Sequence, residues 1–460
     1  MAPKFGTSGL RGLVVELTPD LVADHIRAFL KACPSGTGLW VARDLRPSSP
    51  ALAQVVLEAA RAEGIATVDC GDVPTPALAL ASMGAGAAAV MITGSHIPAD
   101  RNGLKFYLPD GEISKADEAA ILGALGQSSK GIAGPQTRID TSAGPAWVTR
   151  YLAAFGADAL KGQRLGIWSH SAVSRDLLVQ AIRALGAEVV EVGRSEVFIP
   201  VDTEAVDPKA HAQMKAWMVE HDLAAILSTD GDGDRPLLCA ADGQIIMGDL
   251  LGQITAHALG AEVVVTPVSS NTGAEASGRF ARVIRTKIGS PFVVAGMAEA
   301  GEGAKVVGYE ANGGFLLGFT AQGPAGPLPP LATRDSLLPL IAPLWRAGQV
   351  GGLAKLLAME PARYTSADRL ENIASERSLA LIASFSDPEA LRAFLAPLGE
   401  ESASIDRTDG LRVTLKSGRV LHMRPSGNAP EFRLYIEAET PEAAKDLQSR
   451  GFAQLKAVLG

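Results

Sequence analysis

Cysteine is scarce in this 460-residue chain, with Cys33, Cys70 and Cys239 as the whole supply. Three are too few and too scattered for a disulfide framework or a zinc site, so they predict small core residues in a reducing compartment. Dense runs of lysine and arginine are also missing, and the formal net charge is −8. That balance excludes a nucleic-acid partner, and an anionic ligand has to be drawn by local arginines instead. No apolar segment opens the chain, which predicts no signal peptide and a cytoplasmic protein. Residues 73–99 hold no Asp, Glu, Lys or Arg. Because they open on Val-Pro-Thr-Pro and are rich in alanine and glycine, they predict a packed helix and a buried strand, not a membrane span. Walker A, G-x-G-x-x-G, H-E-x-x-H and G-x-S-x-G patterns are absent as well, so no nucleotide, dinucleotide, zinc-protease or hydrolase motif is in hand.

What is present describes an ordinary folded protein, with 47% hydrophobic and 20% charged residues. The length calls for three or four domains. Apolar runs of strand length recur, and each hands over at once to a polar, glycine-bearing loop: "GLWVARDLRPSS", "AAAVMITGSHIP", "RLGIWSHSAVS", "LAAILSTDGDGDR", "AEVVVTPVSSNTG" and "AKVVGYEANGGF". Helical spacing fills the intervals, as in "LAQVVLEAARAEG". Such alternation predicts α/β units whose ligands sit where strands end. After about residue 358 the pattern changes to strands around a Lys-Ser-Gly turn and a closing helix capped by Thr440-Pro441-Glu442, an α+β tail. The expected domains are 1–138, 139–242, 243–357 and 358–460. Residues 323–335 read as a long loop inside the third, and three units of similar length hint at a structural repeat.

The chemistry concentrates in four loops. Asp230, Asp232 and Asp234 alternate with glycines after an apolar run, and three carboxylates this close repel one another unless a cation sits among them. The helix-loop-helix calcium pattern fails, because Arg235 and Ala241 stand where it needs Gly and Glu. A hard divalent ion, Mg²⁺, is the expected occupant. Arg424, Ser426, the amides around Gly427 and Asn428, and Arg433 can wrap a phosphate dianion, although a plain hairpin turn would look the same. Glu310 and Asn312 offer hydrogen bonds to neighbouring hydroxyls, or form a solvated turn. Ser95 and His96 leave a buried run beside Lys105.

In order and spacing, "TGSHIPADRNGLKF", "DGDGDR", "EANGG" and "RPSGNAPEFR", with "FGTSGLRG" and "PVDTEAV", resemble the α-D-phosphohexomutases over essentially the whole chain. The resemblance implies three α/β domains with mixed sheets plus a C-terminal α+β domain, arranged around a central active-site cleft. It implies that Ser95 carries a phosphoryl group, and that Asp230, Asp232 and Asp234 hold Mg²⁺ together with an oxygen of that phosphoserine. Arg11 and Lys105 would stand at the transfer point, with Lys105 or His96 moving the proton. Arg235 and Lys287 would contact ligand, Glu310 and Asn312 would read sugar hydroxyls, and Arg424, Ser426, Gly427, Asn428 and Arg433 would clamp the non-reacting phosphate.

The implied reaction interconverts hexose 6-phosphate and hexose 1-phosphate through a hexose 1,6-bisphosphate, with mannose phosphates first and glucose or glucosamine phosphates as alternatives. The partners are then small sugar phosphates, with no membrane or nucleic acid, and the chain is a monomer or homodimer. Many family members read Glu-x-Ser-Gly-His in the sugar loop, where this chain has Asn312 and Gly314. They often have Thr-Glu where it has Asn428-Ala429. A non-catalytic sugar-phosphate binder and a Mg²⁺-dependent serine phosphatase are the rival classes.

Overall fold

A computed structural model describes residues 3–6, 9–426 and 431–459. Three sheets share one plan. In the first, Thr67–Asp69, Leu39–Arg43 and Ala88–Ile92 run parallel, and Arg101–Leu108 pairs antiparallel with Ala88–Ile92. The second repeats this with Glu188–Val192, Arg164–Trp168, Ala225–Thr229 and antiparallel Pro236–Ala240. The third repeats it again with Arg282–Thr286, Val263–Pro267, Val306–Tyr309 and antiparallel Phe315–Leu317. The hinted repeat is therefore real at the level of topology. Its consequence is functional, because each chemical loop is the connection between the last parallel strand and its antiparallel neighbour: 93–100, 230–235 and 310–314. The parallel strands are buried on both faces, as Val90, Leu227 and Val264 show. That explains their unbroken apolar character, each such side chain contributing about 1.5–3 kcal/mol.

Short strands extend these sheets. Arg138–Ile139 joins the first, Ile245–Ile246 the second and Leu331–Asp335 the third. The last of these corrects the sequence expectation of a long loop over 323–335, as does the pair Ala321–Gln322 with Pro327–Leu328. Prolines there sit in short or edge positions, where no ladder N–H is lost, and the composition alone gave a loop. The second and third units share one continuous apolar core that includes Trp147, Leu178, Leu227, Leu251, Val264 and Leu340.

The tail is an antiparallel sheet in the order Tyr364–Glu371, Glu431–Ala438, Val420–Pro425, Leu411–Leu415, Ser402–Asp406. Helices Ser375–Ser384, Pro388–Leu395 and Pro441–Leu459 pack on it around Leu391, Met423 and Leu455. The Thr440 hydroxyl accepts the Ala443 amide, as a cap should. Residues 73–99 form helix Thr75–Gly84 and strand Ala88–Ile92 as expected, and no helix among the described residues is long and apolar enough to cross a membrane. All three cysteines are buried and free.

Candidate active site

The strand Ala88–Ile92 delivers Ser95 into a loop held rigidly from below. Ser95 is fully buried and lies in the left-handed region at φ 54°, a conformation that costs a non-glycine residue about 1 kcal/mol or more. What imposes it is a buried ion pair, Asp44–Arg46, at 3.1 Å and wholly out of solvent. Arg46 donates to the carbonyls of Ser95, Ile97, Pro98 and Arg101 at 2.9, 2.6, 2.7 and 3.0 Å. Asp44 accepts the Thr93 hydroxyl at 2.7 Å, and the Thr93 oxygen in turn accepts the Ser95 amide at 2.7 Å. Phe198, from the second unit, lies against the guanidinium, 4.1 Å from ring centre to Cζ. Gly94 has no alternative, since a Cβ there would stand 2.7 Å from Arg46 Cζ.

Above this cradle the three acidic side chains converge. Asp230, Asp232 and Asp234 are all fully buried, and one oxygen from each lies within 4.8 Å of the others. Ser95 Oγ donates to Asp230 Oδ2 at 2.5 Å. Lys105 donates to Oδ2 of both Asp232 and Asp234, at 2.5 and 2.7 Å, and Thr75 donates to Asp232 Oδ2 at 2.5 Å. The Oδ1 atoms of Asp232 and Asp234 are buried and accept no hydrogen bond. An all-oxygen set with free inner oxygens, beside a serine hydroxyl, fits a hard divalent cation. Burial and the two neighbouring carboxylates push Asp230 well above the usual carboxylate range. Burial acts the same way on Asp232, but Lys105 and the Thr75 hydroxyl outweigh it and hold that group low.

Fixed cations ring the loop. Arg235 approaches Asp230 and Asp234 at 3.9 Å each and donates to His96 Nδ1 at 3.0 Å. Burial, Arg235 and Arg11 push His96 down to about 2, so it stands neutral. Arg11 lies on the strand Gly9–Leu13, opposite Gly103. Burial and Arg235 lower it to about 10, against the pull of Asp232 and Asp234, so it keeps its charge at neutral pH.

In the third unit Glu310 and Asn312 are buried. Asn312 Oδ1 accepts the Gly314 amide at 3.0 Å, and its carbonyl accepts the Thr203 hydroxyl at 3.0 Å, which leaves the side-chain amino group as its donor. The tail contributes a second cluster. Arg424 and Arg433 face each other across adjacent strands, Arg424 lies 3.4 Å from Asp409, and the Ser426 amide donates to the Glu431 carbonyl at 2.8 Å. Gly427 and Asn428 lie outside the described residues. Lys287 is exposed, 5.9 Å from the Phe292 ring centre, and is not brought into contact with the others. Its neighbour Ile288 donates its amide to Asp409 at 2.9 Å.

Sequence reasoning missed Asp44, Arg46, Thr75 and Arg334. The signal for the first two was available in "WVARDLRP", a charged pair at a strand exit of the same kind as the other loops. It also passed over Glu204, which feels Asp202, Arg235, Glu310 and Arg433 and so stands between the two clusters. Burial raises Glu204 to about 7. An acid raised on folding binds more protons native than unfolded, so its penalty grows as pH climbs from the unfolded value through 7. Glu204→Gln is therefore expected to gain stability relative to the native chain at pH 8 and to match it near pH 4. Thermal unfolding at the two pH values checks the sign.

Comparison with known proteins shows which proteins the chain resembles. Family models for phosphoglucomutase/phosphomannomutase match residues 2–130 (alpha/beta/alpha domain I), 242–342 (alpha/beta/alpha domain III) and 372–453 (C-terminal domain). The chain is 45% identical to a phosphomannomutase of Sinorhizobium fredii, with 99% of each chain covered. It is 42% identical to one of Salmonella muenchen, covering 99% of this chain and 96% of that one. Its fold is similar to that of a phosphoglucomutase/phosphomannomutase family protein from Burkholderia thailandensis, with TM-score 0.78, 23% identity, and 98% and 97% of the chains covered.

Proposed function

Because this chain belongs to the phosphoglucomutase/phosphomannomutase family, we propose that it interconverts hexose 6-phosphate and hexose 1-phosphate, with mannose phosphates as its preferred substrates. The observation that carries the reading is the Ser95 hydroxyl at 2.5 Å from Asp230, inside a cluster of carboxylates and fixed cations. Phosphoserine 95 donates to the free hydroxyl of a hexose monophosphate; the Ser95 O–P bond breaks, and the hydroxyl proton ends on the serine oxygen. The hexose 1,6-bisphosphate turns over and returns its other phosphate to Ser95; the sugar O–P bond breaks, and the serine proton ends on the released sugar oxygen.

The three aspartates would hold Mg²⁺, which when bound supplies positive charge to the transferred phosphoryl oxygens. Lys105, Arg11 and Arg235 add charge that needs no reorganisation. His96, neutral and already accepting from Arg235, is a poor base, and Lys105 is the better placed proton carrier. Glu310 and the Asn312 amino group would read sugar hydroxyls, while Arg424, Ser426 and Arg433, with Gly427 and Asn428, would clamp the distal phosphate. We assign Lys287 a ligand contact only through the loop it shares with Ile288.

The division into four domains, expected at 1–138, 139–242, 243–357 and 358–460, with its first two boundaries moved past the strands Arg138–Ile139 and Ile245–Ile246 that join the first and second sheets, a cleft between the domains, a cytoplasmic setting and a monomer or homodimer complete the proposal; the three buried thiols fit a reducing compartment.

Phosphorus NMR with Mg²⁺ and a trace of hexose bisphosphate tests it, with mannose 1-phosphate and glucose 1-phosphate in separate tubes. The expected result is growth of hexose 6-phosphate, with a higher kcat/KM for mannose. Steady release of free phosphate would make the chain a serine phosphatase, and binding without turnover would make it a sugar-phosphate binder.

A further inference from the structure

Arg334 is a buried cation outside the predicted site residues, and it joins three loops that lie apart in sequence. It lies on the strand Leu331–Asp335 with its side chain only 3% exposed. Its Nη2 stands 2.9 Å from Asp234 Oδ2, its Nη1 donates to Glu310 Oε2 at 3.4 Å, and its Nε is 3.6 Å from Glu112 Oε1. Nη2 and Nε are buried without a well-aligned hydrogen bond, so the guanidinium is held by charge and by the shape of its channel.

Gly314 makes that channel. A Cβ on Gly314 would stand 2.8, 3.0 and 3.2 Å from Arg334 Cδ, Cγ and Cβ, so the stem occupies the space a side chain at 314 would fill. The lower end is fixed independently, because Glu112 Oε1 also accepts the Arg334 amide and the Thr333 hydroxyl, at 3.3 and 3.0 Å. The next residue but one, Ser336, donates to the Gly233 carbonyl at 2.7 Å, tying the same segment to the acidic loop. Glu310 receives no other ion pair among the described residues. One nitrogen of the planar guanidinium meets Glu310 and another meets Asp234, so fixing the plane fixes where the two carboxylates stand relative to each other.

We propose that Arg334 is a positioning residue that locks the Glu310 carboxylate to the Asp230–Asp234 loop, so that reading the sugar hydroxyls and aligning the phosphoryl group depend on one guanidinium. This deepens the mutase reading and rests on it. Arg334 acts through Glu310, and its effect on substrate must vanish once Glu310 cannot carry a charge.

A double-mutant cycle reads that dependence. Arg334→Gln, Glu310→Gln and the pair are compared with the native chain in two assays: kcat/KM for mannose 1-phosphate, and its dissociation constant by calorimetry. Each single substitution is expected to weaken both constants about tenfold or more, with the double variant no worse than the poorer single, a coupling of the size found for contacting residues. Arg334→Lys, which keeps the charge but not the fork, should recover part of the loss. Gly314→Ala leaves every charge in place and presses on the stem, and it should move the same constants in the same direction. It also serves if Arg334→Gln fails to fold.

Additive losses in the cycle, or native constants in Gly314→Ala, would overturn the assignment while leaving a native chain that isomerises hexose phosphates untouched. Coupled binding losses in a chain that does not isomerise would instead uphold the positioning role and sink the mutase reading. Absence of mannose 1-phosphate binding by the native chain would overturn both.

Discussion

Ser95→Ala should reduce turnover of hexose phosphates to background while leaving mannose 1-phosphate binding within a few-fold of native. The size of the loss follows from the chemistry. Transfer through an enzyme-bound phosphoryl group has no route without an oxygen to carry it, and neighbouring groups that only position and neutralise cannot substitute for it. Binding should survive because the alanine removes one oxygen from a cradle built of other parts. The Ser95 backbone is held by Arg46 at its carbonyl and by Thr93 at its amide, neither of which touches Oγ. Turnover near the native rate would refute the assignment of Ser95. Loss of binding together with turnover would show that the serine supports the site's structure instead.

Arg46→Met should be the most damaging substitution to stability. It leaves Asp44 buried without its cation and strips hydrogen bonds from four carbonyls of the 95–101 loop. Removing one partner of a buried pair costs about 3–5 kcal/mol, a large part of a typical domain's 5–15. Denaturant unfolding should show the midpoint falling accordingly, and turnover should fall further than stability explains, because the Ser95 carbonyl loses the donor that holds it in place. Adding Asp44→Asn to Arg46→Met should recover part of the stability, since no lone carboxylate remains, and none of the turnover. Recovery of both would mean that the cradle is a fold-stabilising ion pair without a role in aiming the serine.

The residues legible in the sequence share one trait: their partners are close along the chain. Asp230, Asp232 and Asp234 announce themselves by mutual repulsion within five residues, and Ser95 by a polar exit from a fully apolar run. Arg11 came through the family resemblance, Lys105 already stood out beside the Ser95 exit, and the geometry sets Lys105 on two of the aspartates. Arg46 escaped because its significance lies in carbonyls some fifty residues away, and the charged pair at its strand exit marks a loop without showing what that loop holds. Arg334 escaped for a different reason. Its strand sits behind Gly-Pro-rich sequence that composition assigns to a loop, and a loop arginine is ordinarily solvated. The departure noted at Gly314 was the available hint, since a missing side chain in a packed site implies that another fills the space.

The fold was more readable than the site's inner supports. Continuous apolar strands and alternating helices follow from burial on both faces, but the common plan of the three sheets does not show in residue identities. Only strand pairing reveals that 93–100, 230–235 and 310–314 are the same connection used three times, once for the loop of Ser95, once for the acidic loop and once for the loop of Glu310 and Asn312.

The most direct test of the central claim is to map phosphate on the protein itself. The native chain, incubated with Mg²⁺ and hexose 1,6-bisphosphate, should carry one phosphate in the peptide that contains Ser95. Excess mannose 6-phosphate should then discharge it into sugar bisphosphate. Phosphate on a different residue, or a protein that isomerises hexose phosphates without ever carrying phosphate on Ser95, would contradict the account.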